Sequence, residues 1–289
     1  MKITTYLYLA LLSAFSLTGC NNVCQECDEN SFHNVGNLSL ITDWSELWRG
    51  IKKPQKLDVY FYSPYQELQY FEITKDTTTL TVNTDEYDIL AINDMTNITE
   101  IGSYHSARIS LPRTKVNEKF ITTQAPCILR ALARASVNMQ ETSECFLVPV
   151  PLIFIINFRF IIKPDSSFGA IKECQAVLNG VITSLLLSGE KEKESLTASL
   201  PFTAIKNNTG YFDAKISVLG LSGENLEISA LCENGEKKIN IDLSGLFDFS
   251  SSPVQNCIIQ VNFSTNQSVT VENISIEDWA QGEEDNIEI

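Results

Sequence analysis

The sequence has few of the residues on which enzyme active sites depend at neutral pH. It contains 2 histidines among 289 residues, His33 and His105. Neither lies in a Gly-x-Ser-x-Gly or a His-Glu-x-x-His motif. The 36 acidic residues are spread along the chain, so no pair of carboxylates stands out as a glycosidase site. These absences predict a protein that is not an enzyme.

Positive charge is also scarce. The chain has 21 Lys and Arg residues against 36 Asp and Glu residues, a net charge of −15. No basic cluster offsets this excess, so the protein repels phosphate backbones and anionic lipid surfaces. We expect no nucleic-acid partner. A basic or uncharged partner, such as another protein or a glycan, suits this charge better.

The N-terminal apolar run is too short to span a membrane, which takes about 20 residues. It covers residues 6–17, follows Met1 and Lys2, and precedes Leu17-Thr18-Gly19-Cys20. These are the parts of a signal peptide, and the last four residues resemble a bacterial lipobox. An ordinary cleaved signal with a chance cysteine is the alternative.

The lipobox predicts cleavage before Cys20 and acyl chains on that residue. Residues 1–19 are then the signal peptide, and residues 20–36, which are polar, form a tether. The mature chain is expected to be attached to the membrane by lipid and not to cross it. We expect it at the outer membrane, on the periplasmic side or at the cell surface.

The chain does not need disulfide staples at this length. It has 8 cysteines, and acylation of Cys20 leaves an odd number, which cannot all pair. Cys232 is in phase with the apolar residues before it and so is typical of a small core residue. We predict mostly free, buried thiols.

One group of side chains could bind a metal. Cys24, Cys27 and His33 could supply three ligands to a zinc ion. A second Cys-x-x-Cys pair is missing, and no βαβ pattern follows that would indicate a thioredoxin-like site. We expect a solvated tether here, with no metal and no other cofactor.

Most of the chain shows a period of two, which is typical of half-buried strands. The clearest runs cover residues 57–61, 212–218, 238–243 and 259–263. Residues 152–162 are almost wholly apolar, which predicts a strand covered on both faces. Turn signals stand at 63–64, 83–86, 207–210, 222–223 and 234–235.

The pair Asn234-Gly235 is the strongest turn signal, because both residues tolerate the positive φ of a tight hairpin. Within residues 269–276 the apolar positions change phase, which predicts a β-bulge near Glu272-Asn273. Helical signal is limited to residues 42–49 and 127–137. We predict an all-β protein with two tandem β-sandwich domains of transthyretin-like or immunoglobulin-like type. These cover residues 37–150 and 151–289, and the second ends in an acidic tail.

Three segments follow an order that resembles a known family. They are residues 38–45, which end in Asp-Trp-Ser, residues 57–62 and residues 85–93. They resemble bacteroidete lipoproteins of a domain-of-unknown-function family similar to the fimbrillin-anchor (FimB-type) lipoproteins. Looser matches at 149–160, 178–184, 242–244 and 269–279 extend the resemblance over most of the mature chain.

The resemblance implies two transthyretin-like sandwiches on an acylated tether and a role in fimbrial anchoring, assembly or adhesion. Our leading hypothesis is an anchor or accessory subunit of a fimbria-like fibre. Its strand at residues 269–276 would complete the last sheet or add to a fimbrial subunit.

A surface module that binds a glycan or a protein is the alternative function. Tyr60 and Tyr62 alternate with the apolar residues of the run 57–61, and Tyr65 follows shortly after. Exposed together, these rings would form a face on which a sugar could stack. The competing interpretation is that they pack under a loop or against Tyr70 and Phe71.

Overall fold

The computed structural model describes residues 34–48, 50–93, 97–114, 119–164, 167–190, 196–263 and 269–276. All regular secondary structure in these residues is β, which confirms the predicted class. None of the described segments is an apolar helix of membrane-spanning length. The strands are β1 (Val35–Thr42), β2 (Leu57–Tyr62), β3 (Gln69–Ile73), β4 (Thr77–Asn83), β5 (Asp85–Asn93), β6 (Thr99–Glu100), β7 (Arg108–Ser110), β8 (Leu129–Val137), β9 (Thr142–Leu147), β10 (Val150–Pro151), β11 (Phe154–Pro164), β12 (Ile171–Ile182), β13 (Ser184–Leu186), β14 (Thr197–Lys206), β15 (Phe212–Val218), β16 (Leu221–Cys232), β17 (Gly235–Asp242), β18 (Val254–Phe263) and β19 (Val269–Ile276).

Two sheets in the N-terminal half enclose the smaller hydrophobic core. One has the strand order β4-β1-β9 and the other the order β10-β8-β5-β2-β3. Leu38 and Leu40 of the first sheet meet Val59 and Phe61 of the second, and all four are fully buried. The alternation along β1 and β2 therefore places one apolar face of each sheet against the other.

An eight-stranded sheet in the C-terminal half folds over on itself around the larger core. Its order is β17-β16-β12-β14-β15-β11-β18-β19. β14 pairs with β12 along most of its length, and its last residues, Ile205 and Lys206, pair with β15. Buried residues such as Phe158 and Ile228 come from the two parts of this sheet and pack in one cluster.

Hydrogen bonds join the two halves of the chain. β13, from the C-terminal half, pairs with β7, from the N-terminal half, and β6 completes that small sheet. The Ala125 N–H donates to the Ser217 carbonyl at 3.2 Å. Leu90 and Ile92 of β5 belong to the larger core. The division into domains at 37–150 and 151–289 stays a prediction.

Most of the predicted strands are confirmed. The four alternating runs correspond to β2, β15, β17 and β18. The apolar run at 152–162 corresponds to β11, which lies between β15 and β18 and so has both edges paired. Only one face of β11 is fully buried, because Ile156, Phe158 and Phe160 alternate with half-buried residues, so the predicted cover on both faces is partial.

Two turn predictions are refined by the structure. The hairpin near Asn234-Gly235 is confirmed, but Cys232 pairs with Gly235, so the turn is Glu233-Asn234 and Gly235 follows it with φ of 130°. The predicted turn at residues 222–223 is wrong. These residues lie inside β16, where its register with β12 shifts, and a Cβ on Gly180 would lie 2.3 Å from their carbonyl oxygens.

Both helix predictions are wrong. Residues 129–137 form β8, which pairs with β5, so the helical preference of its alanines is overridden by this partner. Leu129 and Ala131 alternate with exposed or half-buried neighbours, as a strand requires. In the described part of 42–49, β1 ends at Thr42 and a turn follows, with the Leu47 N–H donating to the Trp44 carbonyl.

Candidate functional site

The predicted lipidation and metal sites lie outside the described residues. This applies to Cys20, to the weak metal candidates Cys24, Cys27 and His33, and to the acidic tail. They stay predictions. Within the described part of the chain, no three His, Cys, Asp or Glu side chains are grouped so that they could hold a metal ion.

The three tyrosines of the predicted ligand face differ in exposure. Tyr60 and Tyr62 are half-buried on one face of β2 and pack against the larger core. The Tyr60 ring lies 5.3 Å from that of Tyr70, and the Tyr62 ring lies 5.6 Å from that of Tyr104. Tyr65 is 86% exposed in the bend after β2. A ligand face made of all three tyrosines stays a prediction.

The surroundings of Tyr62 and Tyr70 raise the pKa of their hydroxyl groups. Burial raises the pKa of Tyr62 to about 12. The hydroxyl of Tyr70 donates to Asp58 at 2.8 Å, and this bond raises the pKa of Tyr70 to about 12. Neutral phenols suit stacking and hydrogen bonding, not proton transfer at neutral pH.

His105 lies in an exposed surface pair. Its Nδ1 is 2.7 Å from Glu190 Oε1, and both side chains are more than half exposed. The nearby hydroxyls of Ser103 and Ser106 bond to each other at 2.9 Å. Among the described residues no serine or cysteine side chain is hydrogen-bonded to the imidazole, as nucleophilic catalysis would require.

The described cysteines are free, as predicted. Cys145, Cys174, Cys232 and Cys257 are buried, and Cys127 is half-buried. Burial raises the pKa of Cys174 and of Cys257 to about 12. These thiols therefore stay protonated and act as small core residues.

A shallow polar groove of about 340 Å³ lies on the outer face of the sheet formed by β14, β12, β16 and β17. Its floor is a row of side chains across the strands, because Gln175 pairs with both Thr203 and Ser229, and Ser229 pairs with Lys238. Glu227 lies beside them. Sequence reasoning missed this groove, since each residue is an ordinary outward position of its own strand.

The edge strand β19 pairs with β18 and carries the predicted bulge. Gln260 pairs with Asn273 and Val261 pairs with Val271, so Glu272 is the extra residue. The bulge near Glu272-Asn273 is thus confirmed. Glu272 accepts hydrogen bonds from Lys163 at 2.9 Å and from Asn262 at 3.1 Å. The bond from Lys163, aided by that from Asn262, holds the pKa of Glu272 below its ordinary value.

β19 is less well packed than its neighbour. Every second residue of β18 from Gln255 to Phe263 is buried. On β19, Val271 is 36% exposed and Ile276 is 38% exposed, whereas Ile274 packs against the larger core. In the part of the chain that the structure describes, β19 is the last strand of the sheet and no strand pairs with its outer edge.

Comparison with known proteins finds similarity in fold. No family model and no curated protein matches the sequence. A candidate adhesin from Bacteroides ovatus is 12% identical, with a TM-score of 0.60 over 87% of this chain and 96% of that one. The fimbrial anchor protein Mfa2 from Porphyromonas gingivalis is 12% identical, with a TM-score of 0.60 over 84% and 97%.

A third structure, a candidate polysaccharide-binding protein (DUF1812) from Bacteroides thetaiotaomicron, is 10% identical. Its TM-score is 0.54 over 84% of this chain and 98% of that one. The resemblance drawn from the sequence is therefore confirmed, and at these identities it establishes the fold.

Proposed function

We propose that the protein is a non-enzymatic lipoprotein of the cell envelope that serves as an anchor or accessory subunit of a fimbria-like fibre. The observation that carries the proposal is the shared fold with a fimbrial anchor over 84% of this chain and 97% of the other. The lipobox at residues 17–20 supports attachment to the outer membrane through acyl chains on Cys20.

The proposed mechanism is mechanical. The predicted tether, residues 20–36, ends inside β1, whose first residues are Val35 and Gly36, so the proposed tether is shorter by these two residues. The predicted domains at 37–150 and 151–289 would stand between membrane and fibre. A fimbrial subunit would be captured by strand addition at the edge that carries β19. Within the described residues no strand pairs with the outer edge of β19, and its packing is limited. Both observations support this assignment, because an unpaired strand edge offers backbone groups to another chain.

Metabolic labelling with an alkyne analogue of palmitate tests the anchor. We expect label in the wild-type protein and in Cys24→Ala, a control four residues away, and none in Cys20→Ala. The unlabelled variant should also leave the membrane fraction. Label that persists in Cys20→Ala, or that is absent from the wild type, would overturn the anchor.

Two truncations test partner capture. Removing residues 267–289 deletes β19 and the acidic tail, whereas removing residues 277–289 deletes the tail alone. Affinity purification from native membranes should recover fimbrial subunits with the shorter deletion but not with the longer one. Equal recovery with both would show that β19 does not capture the partner.

A glycan-binding module is the second candidate function. The polar groove around Gln175 favours it, because its side chains can donate and accept hydrogen bonds to the hydroxyl groups of a sugar. A glycan array should then show specific binding that Gln175→Ala abolishes. Loss in Tyr65→Ala instead would assign binding to the tyrosine face, and no specific binding by the wild type would exclude this function.

A further inference from the structure

A pocket of about 380 Å³ lies where β3 and β5 end and β2 begins, away from the groove around Gln175. It is lined by the segment that leads into β2, by Glu72 and Thr74, and by Asn93. A recess of about 10 Å³ adjoins it, and Gln55 and Thr74 line both. The pocket has the volume of a small-molecule site, and the recess has room for about one polar group.

The recess is lined by a buried threonine whose hydroxyl has no partner. Thr42 is the last residue of β1 and is 6% exposed. Its backbone N–H donates to the Asp76 carbonyl at 2.7 Å, but its Oγ1 makes no hydrogen bond within the described residues. Native proteins rarely keep a buried hydroxyl without a protein, water or ligand partner. The recess therefore calls for a polar group from outside the chain.

An aromatic ring is held in place beside this hydroxyl. Trp44 lines the same recess, and its Nε1 donates to Asp76 Oδ1 at 2.8 Å. Lys53 Nζ lies 5.1 Å from the centre of the ring. The residue packs against the smaller core but is only half-buried. A ring with this fixed position offers apolar surface to the CH groups of a sugar.

The charges that line the pocket and the recess do not balance. Lys53 forms an ion pair with Asp76, and Lys56 Nζ lies 2.8 Å from Glu72 Oε2. Lys75 also lines the recess, is exposed, and has no ion-pair partner within the described residues. Three lysines thus face two carboxylates, in a chain whose net charge is −15. This local excess of positive charge favours an anionic ligand.

We propose that the pocket binds an acidic sugar, with its carboxylate at Lys75 and a ring hydroxyl bonded to Thr42 Oγ1. An ammonium–carboxylate hydrogen bond is stronger than one between neutral groups. Gln55 and Thr74 can donate and accept hydrogen bonds to the other hydroxyl groups of the sugar. The proposal rests on the second candidate function, glycan binding, and gives it a site and a class of ligand.

The groove around Gln175 is unsuited to the same ligand. There Glu227 and Glu236 outnumber Lys238, which lies within 4 Å of both carboxylates. A sugar carboxylate would meet a net negative charge in that groove. Charge therefore assigns acidic sugars to the pocket and not to the groove.

Isothermal titration calorimetry of the full chain in mild detergent, with trigalacturonate as the probe, tests the class of ligand. We expect the acid to bind, and its methyl ester, which keeps the hydroxyl groups but lacks the charge, to bind on the order of ten-fold more weakly or worse. Equal binding of acid and ester would overturn the proposal. So would tighter binding of triglutamate, which would assign the pocket to acidic peptides.

Two substitutions test the residues. Lys75→Gln should weaken binding of the acid on the order of ten-fold, whereas Lys172→Gln, the same change at an exposed lysine of β12, should leave it unchanged. Thr42→Val keeps the shape of the side chain and should weaken binding about five-fold, with no loss of melting temperature. Equal binding by the two lysine variants, or full affinity in Thr42→Val, would overturn the assignment.

The outcomes separate this inference from glycan binding itself. Glycan binding that Gln175→Ala abolishes and Lys75→Gln leaves intact would keep the second candidate function and reject this pocket. A glycan array without specific binding would reject both. Neither result bears on the anchor, which requires only the lipid and the fibre.

Discussion

Strands β18 and β19 are neighbours in one sheet, yet they are held in different ways. β18 lies between β11 and β19, so both of its edges are paired, and its inward side chains are fully buried. β19 has one paired edge and a half-buried Ile274 opposite the buried Ile259. Because burial of apolar surface supplies most of the stabilisation, we expect β19 to be held less firmly than β18 although the two strands are hydrogen-bonded to each other.

The largest expected loss of stability comes from a substitution in β18. Ile259→Ala removes a fully buried side chain from the larger core and should lower the free energy of unfolding by about 2–5 kcal/mol. Denaturant titration measures this loss. Ile258→Ala, the same change at the adjacent half-buried position, should cost clearly less. Similar losses for both would mean that burial does not distinguish the two faces of β18.

A smaller loss of stability is expected on β19, at the residue that pairs with Ile259. Ile274→Ala removes the apolar contact of β19 with the core and should cost about 1 kcal/mol, because the side chain is half-buried. Amide hydrogen exchange should quicken in β19 and stay slow in β18. If exchange quickened equally in both strands, they would open as one unit and the contrast between them would be broken.

The smallest effect is a pH dependence confined to β19. Lys163 and Asn262 hold the pKa of Glu272 below its ordinary value, so the folded state favours the carboxylate. Its contribution is present above the unfolded pKa, about 4.3 for a free glutamate, and is lost as the pH falls from there through the lower folded pKa. After correction for intrinsic rates, amide exchange in β19 should quicken over this range in the wild type but not in Glu272→Gln. Identical pH profiles for the two proteins would show that Glu272 does not help to hold β19 in the sheet.

The strands that sequence alone predicts are those with one clear apolar face. Apolar and polar residues alternate in four strands because one face of each covers a core: β2, β15, β17 and β18. The phase change in β19 is visible because it moves apolar residues from one face of the strand to the other. β8 was not predictable, since its alanines suit a helix and its strand form depends on β5, which lies far away in sequence.

The surfaces were harder to predict than the strands. Alternation places Tyr60 and Tyr62 on one face, but their neighbour Tyr104 comes from a loop about forty residues later. The groove around Gln175 gathers four strands, and no local pattern marks it. The uncharged run 77–83 is visible in the sequence, but its position at an edge depends on which strands pair.

The position of β1 determines how the molecule responds to force. β1 begins at Val35 and lies between the antiparallel β4 and the parallel β9. A pull from the N-terminal side acts along this strand, at right angles to the hydrogen bonds of its antiparallel ladder. The bonds on both sides of β1 then bear the load together and cannot open one after another. We expect the first described strand to act as a mechanical clamp, with a rupture force that increases with the length of its two ladders.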